Sequence, residues 1–246
     1  MSEEKKLLVC CPTRIRPHRI REMVRSFEET KRHPGTQLAL YLGHEDPRLP
    51  EYQDTFQRGH HIIIGKRHMF GPAINRLFYC FPDFEFYSPG NDDFVYRTPG
   101  WDVALMEAVN KMPGGVGIAN SDSVHTRHNY PEHRHPCGCA ISVAIPRALG
   151  HVYWPKLSNY RTDTYLRDLA EGIGSTPETH YAYLPEVIIE HVHVNSGGDM
   201  DANYSEQYTH ENMAANDAVF NQWASEHKGR EIEAIRRSFQ IAEIAG

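Results

Sequence analysis

The chain is poor in cysteine, lacks an excess of positive charge and has no long apolar run. Five cysteines (Cys10, Cys11, Cys80, Cys137, Cys139) among 246 residues, odd in number and without framework spacing, argue against a disulfide scaffold and suit reduced thiols. Lys and Arg total 26 against 32 Asp and Glu, a formal charge of -6, so the whole molecule carries no basic footprint for nucleic acid or anionic membrane. Any such contact has to come from a local patch. No apolar stretch approaches the roughly 18 residues of a membrane helix, which predicts a protein with no membrane partner. The polar residues 1–6 lack the order of a secretory signal, and the expected location is cytoplasmic. Internal repeats and low-complexity tracts are missing as well. What is abundant is histidine, 16 residues, the proton carrier and common metal ligand of neutral pH.

Hydrophobic patterning alternates between the two regular periods. Leu7-Leu8-Val9-Cys10-Cys11 reads as a strand buried on both faces and central in a sheet. Ile20, Met23, Val24 and Phe27 then fall on one helical stripe. Residues 37–42 and 61–64 read as two further strands, and Gly71-Pro72 opens a helix burying Ile74, Leu77, Phe78 and Phe81. Residues 84–88 are a fourth strand, Thr98-Pro99 caps a helix with Trp101, Leu105, Ala108 and Val109, and 116–119 is a fifth strand. Such alternation predicts an α/β fold, a mostly parallel sheet flanked by helices, with ligands beyond the carboxyl ends of the strands. Beyond residue 120 the pattern loosens: a strand over 139–145, a helix over 163–170, a strand over 187–194, a Gly-, Asp- and Ser-rich mobile loop over 195–208, and two polar helices over 212–227 and 231–244. Their sparse stripes (Phe220, Trp223; Ile232, Ile235, Phe239) leave open whether they cover the body or pair with a second subunit.

Several groups could carry chemistry. Asp92-Asp93 follows the fourth strand, where two carboxylates can hold a hard divalent cation; a solvated turn is the structural alternative. His191 and His193 point to one face of a strand and could complete such a site, or bond to backbone. Pro12-Thr13-Arg14 and Glu45-Asp46 lie at the same sheet edge and could read a base and ribose. Residues 11–33 hold seven Lys or Arg against three Glu, so one or two arginines there could face phosphate, the alternative being solvated helix charge. His133, His135, Cys137 and Cys139 alternate like zinc ligands, but along one strand they span about 20 Å, too far for one ion unless Pro136 and Gly138 turn the chain. Asp163 could cap the helix it starts or act as a base.

In their order, Cys11-Pro12-Thr13-Arg14, Gly43-His44-Glu45-Asp46, Gly71-Pro72-Ala73-Ile74-Asn75-Arg76, Asn91-Asp92-Asp93 and Thr98-Pro99-Gly100-Trp101-Asp102 resemble a GT-A fold glycosyltransferase over residues 7–209. The resemblance implies a single catalytic domain over 1–209, with a nucleotide-sugar half (about 1–119) and an acceptor half (about 120–209), followed by a C-terminal helical extension over 210–246. It implies a donor site at Pro12, Thr13, Arg14, Glu45, Asp46, Asn75 and Asp92, with Asp92 toward sugar or ribose. A Mn²⁺ or Mg²⁺ ion is implied at Asp93, His193 and His191, and a catalytic base at Asp163, where the family's usual Glu-Asp pair reads Thr162-Asp163. The expected activity is transfer of a sugar from a nucleotide-diphosphate sugar, UDP-linked, to a hydroxyl acceptor. That acceptor is a glycan or small molecule, which the acidic net charge favours, or hydroxymethylated cytosine in viral DNA. The DNA reading draws on the Arg-rich first helix and the basic loop 125–135 with Tyr130. Two other classes compete. A nucleotidyltransferase more often shows a Gly-rich loop with Lys where Pro12-Thr13-Arg14-Ile15-Arg16 stands, and a non-catalytic zinc-stabilised domain would use His133 to Cys139.

Overall fold

The computed structural model describes residues 6–58, 60–124, 127, 135–192 and 200–244, with side chains described except at 54, 56–58, 202, 203 and 239–244. Strands β1 (Leu7–Thr13), β2 (Thr36–Gly43), β3 (His61–Gly65), β4 (Phe86–Pro89), β5 (Phe94–Tyr96), β6 (Ile118–Asp122), β7 (Cys139–Ser142) and β8 (Tyr181–His191) form a sheet in the order β3-β2-β1-β4-β7-β6-β8-β5. Pairings β1/β2, β1/β4, β2/β3 and β6/β8 are parallel, while β7 runs against β4 and β6, and β5 against β8. The helices are α1 (Pro17–Thr30), α2 (Phe70–Cys80), α3 (Trp101–Asn110), α4 (Ala144–Leu149), α5 (Thr162–Ile173), α6 (Ala202–Gln207), α7 (His210–Glu226) and α8 (Lys228–Ile244). None of the described helices is long and apolar enough to cross a membrane.

The period-2 alternation of β1 explains the layering. Leu7, Val9 and Cys11 face a core with Ile20 and Phe27 of α1 and Trp101 and Leu105 of α3, whereas Leu8 and Cys10 face a second core with Ile74 and Leu77 of α2 and Tyr165 and Leu169 of α5. β1 is thus covered on both sides, as its unbroken apolar run predicts. α7 and α8 close onto the second core: Trp223 and Ile235 are fully buried in it. Glu231 pins them there, accepting bonds from Trp223 Nε1 and Tyr165 OH, both 2.9 Å, with His151 Nε2 3.3 Å from its other oxygen.

Four local expectations change. Thr98 does not cap α3: Gly100 holds the N-cap position at φ +78°, and Thr98 Oγ1 instead accepts from Ile188 N at 2.8 Å. Asp163 does not cap α5 either, because Arg161 occupies that position at φ +73° and Asp163 lies one residue inside the helix. The three-residue strand β5 is too short to show a period in the sequence and forms by pairing with β8. Within the expected mobile loop, Asp201 caps α6 by accepting from Tyr204 N at 2.9 Å; residues 193–199 lie outside the described part.

Candidate active site

At the carboxyl end of β1 the chain reverses sharply. Ile15 takes φ +52°, a region a β-branched residue seldom enters. Three bonds hold it there: Ile15 N to Asp46 Oδ2 (2.8 Å), Arg16 N to Tyr52 OH (2.9 Å) and Arg48 Nη1 to Ile15 O (3.4 Å). The reversal leaves both Arg14 and Arg16 lining the cleft at the sheet edge.

β4 brings the acidic pair to the same edge. Gly90 N donates to Cys10 O (2.8 Å), and a Cβ at Gly90 would meet Val9 Cγ1 at 2.9 Å, so only glycine lets the chain run this close to β1. Asp92 and Asp93 are each only 5% exposed. Asp92 Oδ2 accepts from Thr13 Oγ1 (2.8 Å) and its Oδ1 from Arg16 Nη1 (2.9 Å). Asp93 Oδ2 accepts from Tyr204 OH, and its Oδ1 lies 3.2 Å from His191 Nε2. Arg16, also buried, forks onto Asp201 through Nε and Nη2 (2.7 and 2.8 Å) and stacks 4.4 Å over the Tyr204 ring. Burial pushes the Asp92 carboxyl up to about 6 despite Arg16. For Asp93, burial is outweighed by His191 and the Tyr204 hydroxyl, which hold its carboxyl below the ordinary range. Burial also opposes the His191 charge, but Asp93 wins and raises the imidazole to about 10. At neutral pH the cluster therefore sets the carboxylates of Asp92, Asp93 and Asp201 against a guanidinium and an imidazolium.

Two cavities meet at this cluster. The smaller, about 90 Å³, is lined by Pro12, Thr13, Arg14, Tyr41, Gly43, Arg67 and His68. The larger, about 290 Å³, is lined by Asp93, His135, Cys137, Tyr153, Tyr160, Asp163, His191, Tyr204 and Tyr208. Arg16, Phe70, Asn91, Asp92, Asn159 and Gln207 border both. Also lining the larger cavity, Asp163 accepts at Oδ1 from Thr164 N (2.8 Å), and its Oδ2 lies 3.8 Å from Nδ1 of the buried His135.

Pro12, Thr13, Arg14, Asp92, Asp93, Asp163 and His191 are thus gathered around one cleft. His193 lies outside the described residues. Three of the expected donor residues line neither cavity. Asp46 is committed to holding Ile15 and Arg48 N (2.8 Å). Asn75 is buried with its amide bonded to Val152 N (2.9 Å), Tyr153 N (2.9 Å) and Tyr153 O (2.7 Å). Glu45 is exposed and lines neither cavity. The zinc-like series also disperses: Cys139 is buried in β7, His135 turns to Asp163, Cys137 bonds to His191, and His133 and the basic loop around Tyr130 lie outside the described residues. Arg67, Tyr204, Asp201 and Glu206 were not foreseen. The only local signal for any of them is the Asp201 cap spacing, which says helix start and nothing of the cleft.

The donor atoms at Asp93 suit a divalent cation. Asp93 Oδ1 is buried and lies 3.2 Å from His191 Nε2, an oxygen–nitrogen pair suited to a metal of borderline hardness. No three His, Cys, Asp or Glu converge on one point among the described residues, so such an ion would take its other ligands from a bound substrate or from outside that part of the chain.

No protein-family profile and no curated protein sequence matches the chain. Solved structures do share its fold. A mannosyltransferase from Pyrobaculum calidifontis, in complex with GDP-Man and Mn²⁺, superposes with a TM-score of 0.61 at 12% identity, covering 100% of this chain and 77% of its own. Glucosyl-3-phosphoglycerate synthase from Mycobacterium tuberculosis, in complex with Mn²⁺, UDP-glucose and phosphoglyceric acid, gives 0.60 at 10% identity over 87% of this chain and 79% of that one. S. aureus TarS 1-349 in complex with UDP-GlcNAc gives 0.57 at 11% identity, over 95% and 79%. The fold is that of the GT-A nucleotide-sugar glycosyltransferases.

Proposed function

We propose that the protein is a metal-dependent glycosyltransferase that moves a sugar from a nucleotide-diphosphate sugar, UDP-linked, to a hydroxyl acceptor. The observation that carries this reading is the buried Asp92–Asp93 pair, set between two cavities at the carboxyl edge of the sheet and faced by Arg16 and His191. Paired acids that needed no ligand would sit more cheaply in water. The fold shared with enzymes solved with nucleotide sugars supports the same reading.

In this scheme Pro12, Thr13 and Arg14 receive the nucleotide side of the donor in the smaller cavity, and Asp92 faces its sugar or ribose. Asp93 and His191 hold Mn²⁺ or Mg²⁺, with His193 as a further ligand. When bound, the ion neutralises charge building on the leaving diphosphate. As a ligand His191 would be neutral, its extra proton released to solvent. Asp163, tied at one oxygen and backed by His135, takes the proton of the acceptor hydroxyl as it attacks.

A glycan or small molecule is the favoured acceptor class. The larger cavity presents Phe70, Tyr153, Tyr160 and Tyr208, flat faces suited to sugar rings, and the basic stretch 11–33 turns Arg14 and Arg16 inward onto acidic side chains rather than outward along a nucleic-acid track. Nucleoside diphosphate release from a panel of nucleotide sugars, with Mn²⁺ or with EDTA, tests the donor half. Release that needs metal and vanishes in Asp93→Asn is expected; no release and no thermal shift with any donor overturns the reading. Hydroxymethylated DNA belongs in the acceptor screen that follows, where turnover on DNA alone would replace the glycan class.

A further inference from the structure

Every arginine lining the smaller cavity is engaged by the same short segment of chain. Glu206 accepts from Arg14 Nη1 at 2.7 Å and also from Arg67 Nη2, while Asp201 takes the fork of Arg16 at 2.7 and 2.8 Å. Both carboxylates belong to α6 and its cap, and Gln207, the last residue of that helix, borders both cavities. From the middle of the same helix Tyr204 reaches Asp93. One turn and a half of helix thus presents two negative charges to three guanidiniums.

The match is incomplete. Arg14 Nε is buried and has no hydrogen-bond acceptor among the described residues, and the two oxygens of Glu206 are shared between two guanidiniums. A diphosphate carries a similar charge and more acceptor oxygens on a comparable span, and planar guanidiniums bind it bidentately. The Glu206 end of that grip is also weak enough to exchange. Glu206 is 46% exposed with partners 28% and 33% exposed, the kind of ion pair that contributes little to stability, and Tyr204 is the one buried residue among those of the helix whose burial is described.

We propose that Arg14, Arg16 and Arg67 form a diphosphate-binding site and that α6 occupies it as a built-in substitute, which an incoming diphosphate expels. The identification of that diphosphate with the donor's own rests on the glycosyltransferase reading; the anion site itself does not. Because only molecules with α6 displaced can bind, the apparent affinity is reduced by the fraction displaced, and weakening the substitute raises it.

Inorganic pyrophosphate in EDTA is the probe, which separates this site from any metal and any sugar. Titration calorimetry is expected to give affinity about three- to tenfold tighter in Glu206→Gln than in the unaltered protein, and at least about tenfold weaker in Arg67→Gln. Hydrogen exchange of the unaltered protein gives an independent reading: pyrophosphate should accelerate exchange of the 202–208 amides. Pyrophosphate that leaves those amides unchanged or protects them, Glu206→Gln that binds equally or more weakly, or no binding by either protein each overturns the proposal. Turnover of a nucleotide sugar with Glu206→Gln unaltered in affinity defeats the substitute and spares the transferase. Expulsion of α6 by pyrophosphate with no donor turned over does the reverse.

Discussion

Two buried acidic centres on the same sheet are built in opposite ways. Asp102 in α3, fully buried, is held mainly by backbone: Arg32 N (3.0 Å), His33 N (2.9 Å) and the Thr36 hydroxyl (2.7 Å) all donate to it, which ties the α1–β2 loop to the third helix. Asp92 and Asp93 are almost as buried, yet their partners are side chains from three separate elements and a loop: Thr13, His191 and Tyr204, with Arg16. Backbone donors cannot leave without unfolding a turn, whereas side chains can rotate away. The first centre is a knot in the scaffold, and the second is a set of side-chain contacts, the kind that the proposed cation and anion would replace.

Substitutions should separate the two centres sharply. The largest effect is expected from Asp163→Asn at the acceptor end: transfer falls by about 10²–10⁴ in initial-rate assays while donor affinity stays within about twofold, because proton removal and not donor binding is lost. Asp93→Asn should lower metal-dependent diphosphate release by at least about 10² and abolish the thermal shift given by Mn²⁺. Asp102→Ala inverts that pattern. It should cost about 3 kcal/mol or more in urea unfolding, since several buried donors lose a charged acceptor, with donor affinity per folded molecule unchanged. Equal activity losses in Asp93→Asn and Asp102→Ala, with equal stability losses, would erase the distinction.

Glu231 sharpens the comparison from outside the cleft, being held by side chains but lining neither of the two cavities. Glu231→Gln should cost about 1–2 kcal/mol at pH 7. Burial opposes ionisation of Glu231, but bonds from His151, Trp223 and Tyr165 hold its carboxyl below the ordinary range. Its contribution is therefore present above the unfolded carboxylate pKa and lost as pH falls through the lower folded value. The stability gap between the unaltered protein and Glu231→Gln should close on acidification in parallel urea titrations.

Legibility in the sequence followed the range of the interaction. β1, α1 and α2 could be read because their periods lie within one segment, and the Asp92-Asp93 pair because its position after a strand implies the ligand edge. Asp46 is a donor candidate on the same ground of position, and Asn75 on the family resemblance alone. Position could not tell that Asp46 turns back to hold Ile15, or that Asn75 faces the 152–153 backbone. Nothing near Tyr204 or Glu206 marks either as a cleft residue, since Tyr204 meets Asp93 across 111 positions of chain and Glu206 meets Arg67 across 139.

The sequence by itself determined the alternation of strands and helices, the two-sided burial of β1 and the edge of the sheet where the polar residues gather, because each follows from local apolar spacing and from where strands end. Tertiary structure alone decided which polar groups meet there. It turned Ile15 so that Arg14 and Arg16 both enter the cleft, set β5 against β8 so that His191 faces Asp93, and laid α6 across three arginines. Charge pairing acts through space between segments far apart in the chain, and the fold supplies that proximity.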